Sequence, residues 1–174
     1  MRIRAFTEAD VARAAAIQAA CYPPGPPTAG QDAASLHASP TGYTTTQLQE
    51  ELTRPWSRAF ISEGPRGDVT GMLIAWFVAD EFHLHNVAVD PAARRMGYAR
   101  QLLSVLLDTA FDAKLTRGFL EVSAHNQAAI ALYDAFGALR FGLRKAYYAD
   151  GSDAVEMAFS LDPAQRKVLA TPLT

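Results

Sequence analysis

Apolar and polar positions alternate in "RIRAF", the two-residue period of a strand, and "TEADVARAAAIQAACY" then spaces Val, Ala and Ile at helical intervals behind Thr7, a helix-capping residue type. Residues 23–43, "PPGPPTAGQDAASLHASPTGY", concentrate Pro, Gly, Ser and Ala and predict a surface loop. "TTTQLQEELTRP" allows a short helix that stops before Pro55; "WSRAFIS" and "VTGMLIAWFVA" follow as strands joined by the turn signal "EGPRGD". "EFHLHNVAV" continues that antiparallel run. In "MGYARQLLSVLLDTAFDAKL" the residues Ala99, Leu102, Leu103, Leu106, Ala110 and Phe111 fall on one helical stripe.

"GFLEVSA" then predicts another strand, and "NQAAIALYDAFG" a helix capped by Asn126 and closed by Gly137; two last strands flank "YYADGSDA". The order is β-α-α-β-β-β-α-β-α-β-β, an α+β class of helices on a mixed, mostly antiparallel sheet, expected as a three-layer α/β/α sandwich. Residues 162–174 predict a loosely held tail. No internal repeat interrupts the pattern.

Composition narrows the function classes. With 174 residues and 49% hydrophobic content, one domain over residues 1–161 is expected. Sixteen basic residues against eighteen acidic leave a net charge of −2, so bulk electrostatics favour neither nucleic acid nor a membrane as partner, and an anion site must be local. Cys21 is the only cysteine, which leaves no disulfide framework or thiolate cluster and suggests a reducing compartment. The N-terminal stretch carries charge throughout and matches neither a signal peptide nor a spanning helix, so the expected location is cytoplasmic.

"VAVDPAARRMGYAR" raises a chemical question, because Arg94, Arg95 and Arg100 crowd a predicted helix start that already carries positive partial charge. The first-turn amides from Met96 to Arg100 lack carbonyl partners, while Gly97 and Ala99 keep side chains small. A pyrophosphate would satisfy amides and arginines together; a solvated turn with surface arginines is the plainer alternative.

Other residues carry paired readings. Glu121 lies in an otherwise apolar strand, where partial desolvation suits a proton acceptor, although it could equally pair with a cation or sit at a wet strand end. Asn126 and Tyr133 are two helical turns apart and share a face; read plainly, they are a cap and a core residue. His83 and His85 alternate on one strand, but without a third ligand at metal spacing they point instead to the acceptor end of the sheet. Tyr147 and Tyr148 precede the Asp150-Gly151 turn.

In order and spacing, "NVAVDPAARRMGYARQLL", "LEVSAHNQAAIALYDAFGA" and "RKAYYADGSDAVEM" resemble the GNAT superfamily of N-acetyltransferases, and within it the RimI-like enzymes that acetylate the N-terminal alanine of ribosomal proteins. The likeness covers roughly residues 70–161 closely. The family signature Gln/Arg-x-x-Gly-x-Gly/Ala falls on Arg94, Gly97 and Ala99. The resemblance implies acetyl-coenzyme A as co-substrate, with its pyrophosphate on the backbone of Arg95, Met96, Gly97, Tyr98, Ala99 and Arg100. It likewise implies that Val87, Ala88 and Val89 line the pantetheine arm and that Asn126 contacts the donor.

By the same resemblance Glu121 accepts the amine proton, Tyr133 protonates the departing thiolate, and Tyr147 and Tyr148 grip an acceptor peptide. The implied partner is a protein N-terminus, that of a ribosomal protein among them, met by a monomer or weak dimer without a metal. A relative acting on a small amine or antibiotic, and a non-catalytic coenzyme-A-binding module, are the alternatives. Residues 23–43 depart from the family pattern.

Overall fold

The computed structural model describes residues 1–22, 42–148 and 150–170. Apart from Gly42 and Tyr43, the loop expected at 23–43 lies outside the described residues, as do residues 171–174. The described chain forms two compact units: Met1–Trp76 with His85–Leu106, and Phe77–Leu84 with Leu107–Thr174.

The first unit contains β1 (Arg2–Ala5), α1 (Val11–Cys21), α2 (Thr45–Thr53), β2 (Ser57–Glu63), most of β3 (Val69–Val78), the second half of β4 (Glu81–Val89) and the start of α3 (Tyr98–Asp112). β1, β2, β3 and β4 are neighbours in that order, and β1–β2 and β2–β3 are antiparallel. The turn expected at "EGPRGD" closes with Gly64 donating to the Asp68 carbonyl at 2.8 Å.

Thr7 sits one turn earlier than a simple helix cap would. It precedes a 3₁₀ turn, Glu8–Asp10, and Asp10 takes the N-cap position of α1. The Asp10 carboxylate accepts the Thr7 amide at 2.9 Å and the Arg4 guanidinium at 2.7 and 2.8 Å. Phe6, Val11, Ile17, Leu48, Ile61 and Met72 form the core beneath, which Ala14 enters without a bulky side chain. Gln18 and Asn86 are buried within this unit and satisfy each other: Gln18 Nε2 donates to Asn86 Oδ1 at 2.6 Å, fixing α1 against β4.

The second unit contains the first half of β4, the remainder of α3, β5 (Arg117–Ser123), α4 (Gln127–Ala135), β6 (Leu139–Arg144), β7 (Ala154–Asp162) and β8 (Lys167–Leu169). Its strands follow the order β4-β5-β7-β6. β4 and β5 run parallel over Glu81–Leu84 and Arg117–Leu120, whereas β5–β7 and β6–β7 are antiparallel. The mixed, mostly antiparallel α+β pattern read from the sequence is thus present. The expected tail is corrected: β8 pairs antiparallel with β7, Val168 opposite Leu161, because the chain reverses after Asp162 and β6 pairs with β7 only over Ala154–Ala158, leaving Ser160–Asp162 to β8.

β5 alternates strictly, with Gly118, Leu120 and Val122 buried and Phe119, Glu121 and Ser123 on the partly exposed face. Gly118 is required there, since a Cβ would enter the ring of Phe82. α4 is capped as expected: Asn126 Oδ1 accepts from the Ala129 amide at 3.1 Å, and Gly137 closes the helix at φ +87°.

The Arg4 bond holds the Asp10 carboxyl below its ordinary 3.8, against the opposing effect of burial. A depressed carboxylate contributes stability above the unfolded value and loses it as pH falls through the folded value. Asp10→Asn is therefore expected to cost about 2 kcal/mol at pH 7, as for loss of charge-assisted hydrogen bonds, and less at an acid pH below the folded carboxyl's own value. Urea unfolding at the two pH values checks this.

Candidate active site

In the first unit β4 delivers the chain into the arginine-rich turn. Asp90 Oδ1 accepts the Ala92 amide at 2.8 Å, and its other oxygen pairs with Arg13, so the turn starts from a fixed carboxylate. These contacts, the amide bond first, hold the Asp90 carboxyl below the usual aspartate range. Pro91–Ala93 form a 3₁₀ turn, after which Arg95 and Gly97 adopt positive φ of +65° and +87°. The first bond of α3 runs from the Gln101 amide to the Gly97 carbonyl at 3.1 Å, leaving the amides of Tyr98, Ala99 and Arg100 ahead of the helical ladder.

Gly97 is needed for its backbone angle rather than for a tight contact, since a Cβ there would meet nothing within 4 Å. Met96 is 58% exposed, and Arg95 and Arg100 are exposed. Amides at a helix start, flanked by guanidinium groups and open space, suit a phosphate-bearing ligand.

Two side chains of this turn are engaged with the protein itself. Arg94 folds back, with Nε toward the Val89 carbonyl at 3.4 Å and Nη2 toward Cys21 Sγ at 3.5 Å, because the strand end offers an acceptor within reach. The Tyr98 ring is buried, so this residue presents only its backbone. Along β4, Val87 and Val89 are partly exposed while Ala88 turns inward.

His85 stacks obliquely on Trp76 in the first unit, ring centroids 4.3 Å apart. In the second unit His83 Nε2 lies 2.9 Å from Glu81 Oε1, and its ring stacks on Phe119 at 5.6 Å. Among the described residues, no three His, Cys, Asp or Glu side chains are grouped to hold a metal ion.

Glu121 is the centre of the second unit's polar face. Tyr147 donates its hydroxyl to Glu121 Oε2 at 2.6 Å, and Arg144 Nη1 lies 3.0 Å from Oε1. Tyr148 packs edge-on against Tyr147, and the Arg144 guanidinium lies 5.4 Å from the Tyr147 ring centroid. The Tyr147–Tyr148 segment is held by its turn, with Tyr148 N–H bonded to the Ser152 carbonyl and Ala146 N–H to the Asp153 carboxylate. Tyr133 is buried on α4, and Asn126 serves as the helix cap.

The acetyltransferase (GNAT) family profile matches residues 17–138. The chain belongs to the acetyltransferase (GNAT) family. Enzymes of this family use acetyl-coenzyme A, and the chain is an N-acetyltransferase by membership. It is 38% identical over 121 residues to the [ribosomal protein bS18]-alanine N-acetyltransferase of Escherichia coli, across 62% of this chain and 82% of that one. The crystal structure of that enzyme superposes with a TM-score of 0.75 at 25% identity, covering 99% of this chain and 96% of that one. The N-alpha-acetyltransferase RimI of Mycobacterium tuberculosis is 44% identical over 78 residues, 44% of this chain and 48% of its own length. An uncharacterized Mycobacterium leprae protein is 47% identical over 78 residues, only 21% of its length.

Within this GNAT chain the structure brings Glu121, Tyr147 and Tyr148 together, and it adds two residues that sequence reasoning missed, Arg144 and Glu156. Arg144 Nε bonds Glu156 Oε1 at 2.8 Å while Nη1 reaches Glu121. A cation pairing with Glu121 was one open reading, but only strand register shows which cation. Among the described residues no helix is long and apolar enough to cross a membrane.

Burial, and then the bond to Glu121, push the Tyr147 phenol up to about 12 from 10.0. The neutral phenol is favoured in the folded chain, so its contribution is complete below about pH 10 and is lost as pH rises toward about 12. Tyr147→Phe is expected to flatten the fall in melting temperature between these pH values. An alkaline slope identical to that of the parent chain would contradict this.

Proposed function

We propose that this N-acetyltransferase transfers acetyl from acetyl-coenzyme A to the α-amine of a protein N-terminus in the cytoplasm, its acceptor being the N-terminal alanine of a ribosomal protein. The observation that carries the reading is Glu121, a partly buried carboxylate with both oxygens fixed, one by Tyr147 and one by Arg144. The name of the E. coli relative, a bS18-alanine N-acetyltransferase, supports the acceptor class.

Each residue has a role in this reading. The amides of Arg95 to Arg100 bind the diphosphate, Arg94 steadies the end of β4, Val87 to Val89 line the pantetheine arm, and Asn126 contacts the donor. Glu121, directly or through a water, takes the proton of the attacking amine, and Tyr133 supplies one to the sulfur. His83, Tyr147 and Tyr148 of the second unit contact the acceptor, as does His85 of the first.

Acid–base arithmetic favours this acceptor. An α-amine with pKa about 7.7–8.0 is roughly one-tenth neutral at pH 7, whereas a lysine near 10.4 is neutral in about one molecule in 2,500. A carboxylate base therefore suits a peptide N-terminus better than a side-chain amine.

Glu121→Gln is expected to lower kcat by about 10²- to 10⁴-fold, the range for loss of a general base, with acetyl-coenzyme A binding unchanged by calorimetry. Turnover at the wild-type rate across pH 6–9 would remove Glu121 from the chemistry. The same assay with Tyr133→Phe should slow turnover, and a full rate would leave Tyr133 a core residue.

Gly97→Ala places a side chain at positive φ and is expected to weaken acetyl-coenzyme A binding by about tenfold, the effect of roughly 1.4 kcal/mol of strain. A panel of peptides differing in the first residue, with spermidine as the small-amine control, tests the acceptor. Transfer to spermidine alone would overturn the peptide reading.

A further inference from the structure

On β5 and β7, Glu121 stands directly opposite Glu156. Like charges in that position repel, and neither carboxylate is free to leave, being 15% and 19% exposed. The register of β6 supplies the remedy. Arg144 lies opposite Ala154, and its side chain reaches across β7 with Nε on Glu156 and Nη1 on Glu121, at 2.8 and 3.0 Å. A Cβ on Gly142, the residue opposite Glu156, would collide with Glu156 Oε2, so the strand carries glycine where the second carboxylate needs room. One cation is therefore shared between two carboxylates, and the β6 backbone is shaped to admit the second.

We propose that Arg144 is a positioning residue for acetyl transfer: by bridging Glu121 and Glu156 it holds the Glu121 carboxylate in its orientation, with Glu156 as its anchor. The inference rests on the reading of Glu121 as the proton acceptor. Without the guanidinium, the two facing carboxylates repel with no cation between them, and Glu121 turns away from the position in which it meets the amine. A carboxylate turned away no longer reaches the proton of the incoming amine. The groups facing Glu121 from its own unit are Arg144 of β6, Glu156 of β7 and the Tyr147 hydroxyl of the following turn. Tyr147 can donate to only one oxygen, so it does not replace the bridge.

The test is a mutant cycle on the full chain, assayed with acetyl-coenzyme A and a hexapeptide beginning with alanine. Arg144→Met is expected to lower kcat at least tenfold with the KM for acetyl-coenzyme A unchanged, and Arg144→Lys to restore part of it. Adding Glu156→Gln to Arg144→Met should recover at least threefold of the loss, because removing the facing charge removes the repulsion that displaces Glu121. Melting temperatures of all variants separate these effects from unfolding.

Wild-type turnover in Arg144→Met, or a double variant no better than Arg144→Met, would overturn the proposal. If Glu121→Gln abolishes turnover while Arg144→Met does not, this inference alone fails. If Glu121→Gln is fully active, the base assignment fails and takes the bridge with it.

Discussion

Burying one face of β5 and β7 forces everything polar in those strands onto the other. Leu120, Val122, Met157 and Phe159 are buried, and the two-residue pleat then leaves Glu121 and Glu156 no alternative face. Antiparallel pairing sets them opposite each other, and that juxtaposition requires a cation. Arg144 is the consequence of the packing as much as of the chemistry. Its guanidinium is pushed further toward its charged form, first by the bond to Glu156 and then by the charge of Glu121.

The arginine-rich turn in the first unit obeys a different constraint. A helix start leaves amides without partners, and additional positive charge nearby is unfavourable unless an anion is present. The turn manages its cations unequally. Arg94 directs its donors to the Val89 carbonyl and the Cys21 sulfur, and Arg95 lies exposed. The positive φ at Gly97 sets the backbone path before α3 begins. The signature glycine is therefore explained by conformation, and the open space beside it is available to a ligand.

Buried polar groups separate the structural from the chemical parts of the molecule. Gln18 and Asn86 are internal and mutually satisfied, so they act as a latch between helix and strand. Asp10 is likewise consumed by Arg4 and Thr7. Glu121 differs from these in lying on a partly exposed face beside a turn that also presents Tyr148. Its place on a partly exposed face, rather than its charge alone, distinguishes it from Asp10.

Local sequence determined the elements and much of the candidate site. The stripe from Leu102 to Phe111 demanded a helix, alternation in "GFLEVSA" demanded a strand with Glu121 on its polar face, and Asn126 and Gly137 bounded α4, because these features depend on neighbours within a few residues. The motif around Arg94, Gly97 and Ala99 was legible for the same reason. What only tertiary structure decided was register and reach. The pairing of Glu121 with Glu156, the arrival of Arg144 from β6, the return of β8 onto β7 and the turning of Arg94 toward Cys21 all join residues distant in sequence. Such contacts are fixed by which strand lies beside which, and no short-range pattern of side chains carries that information.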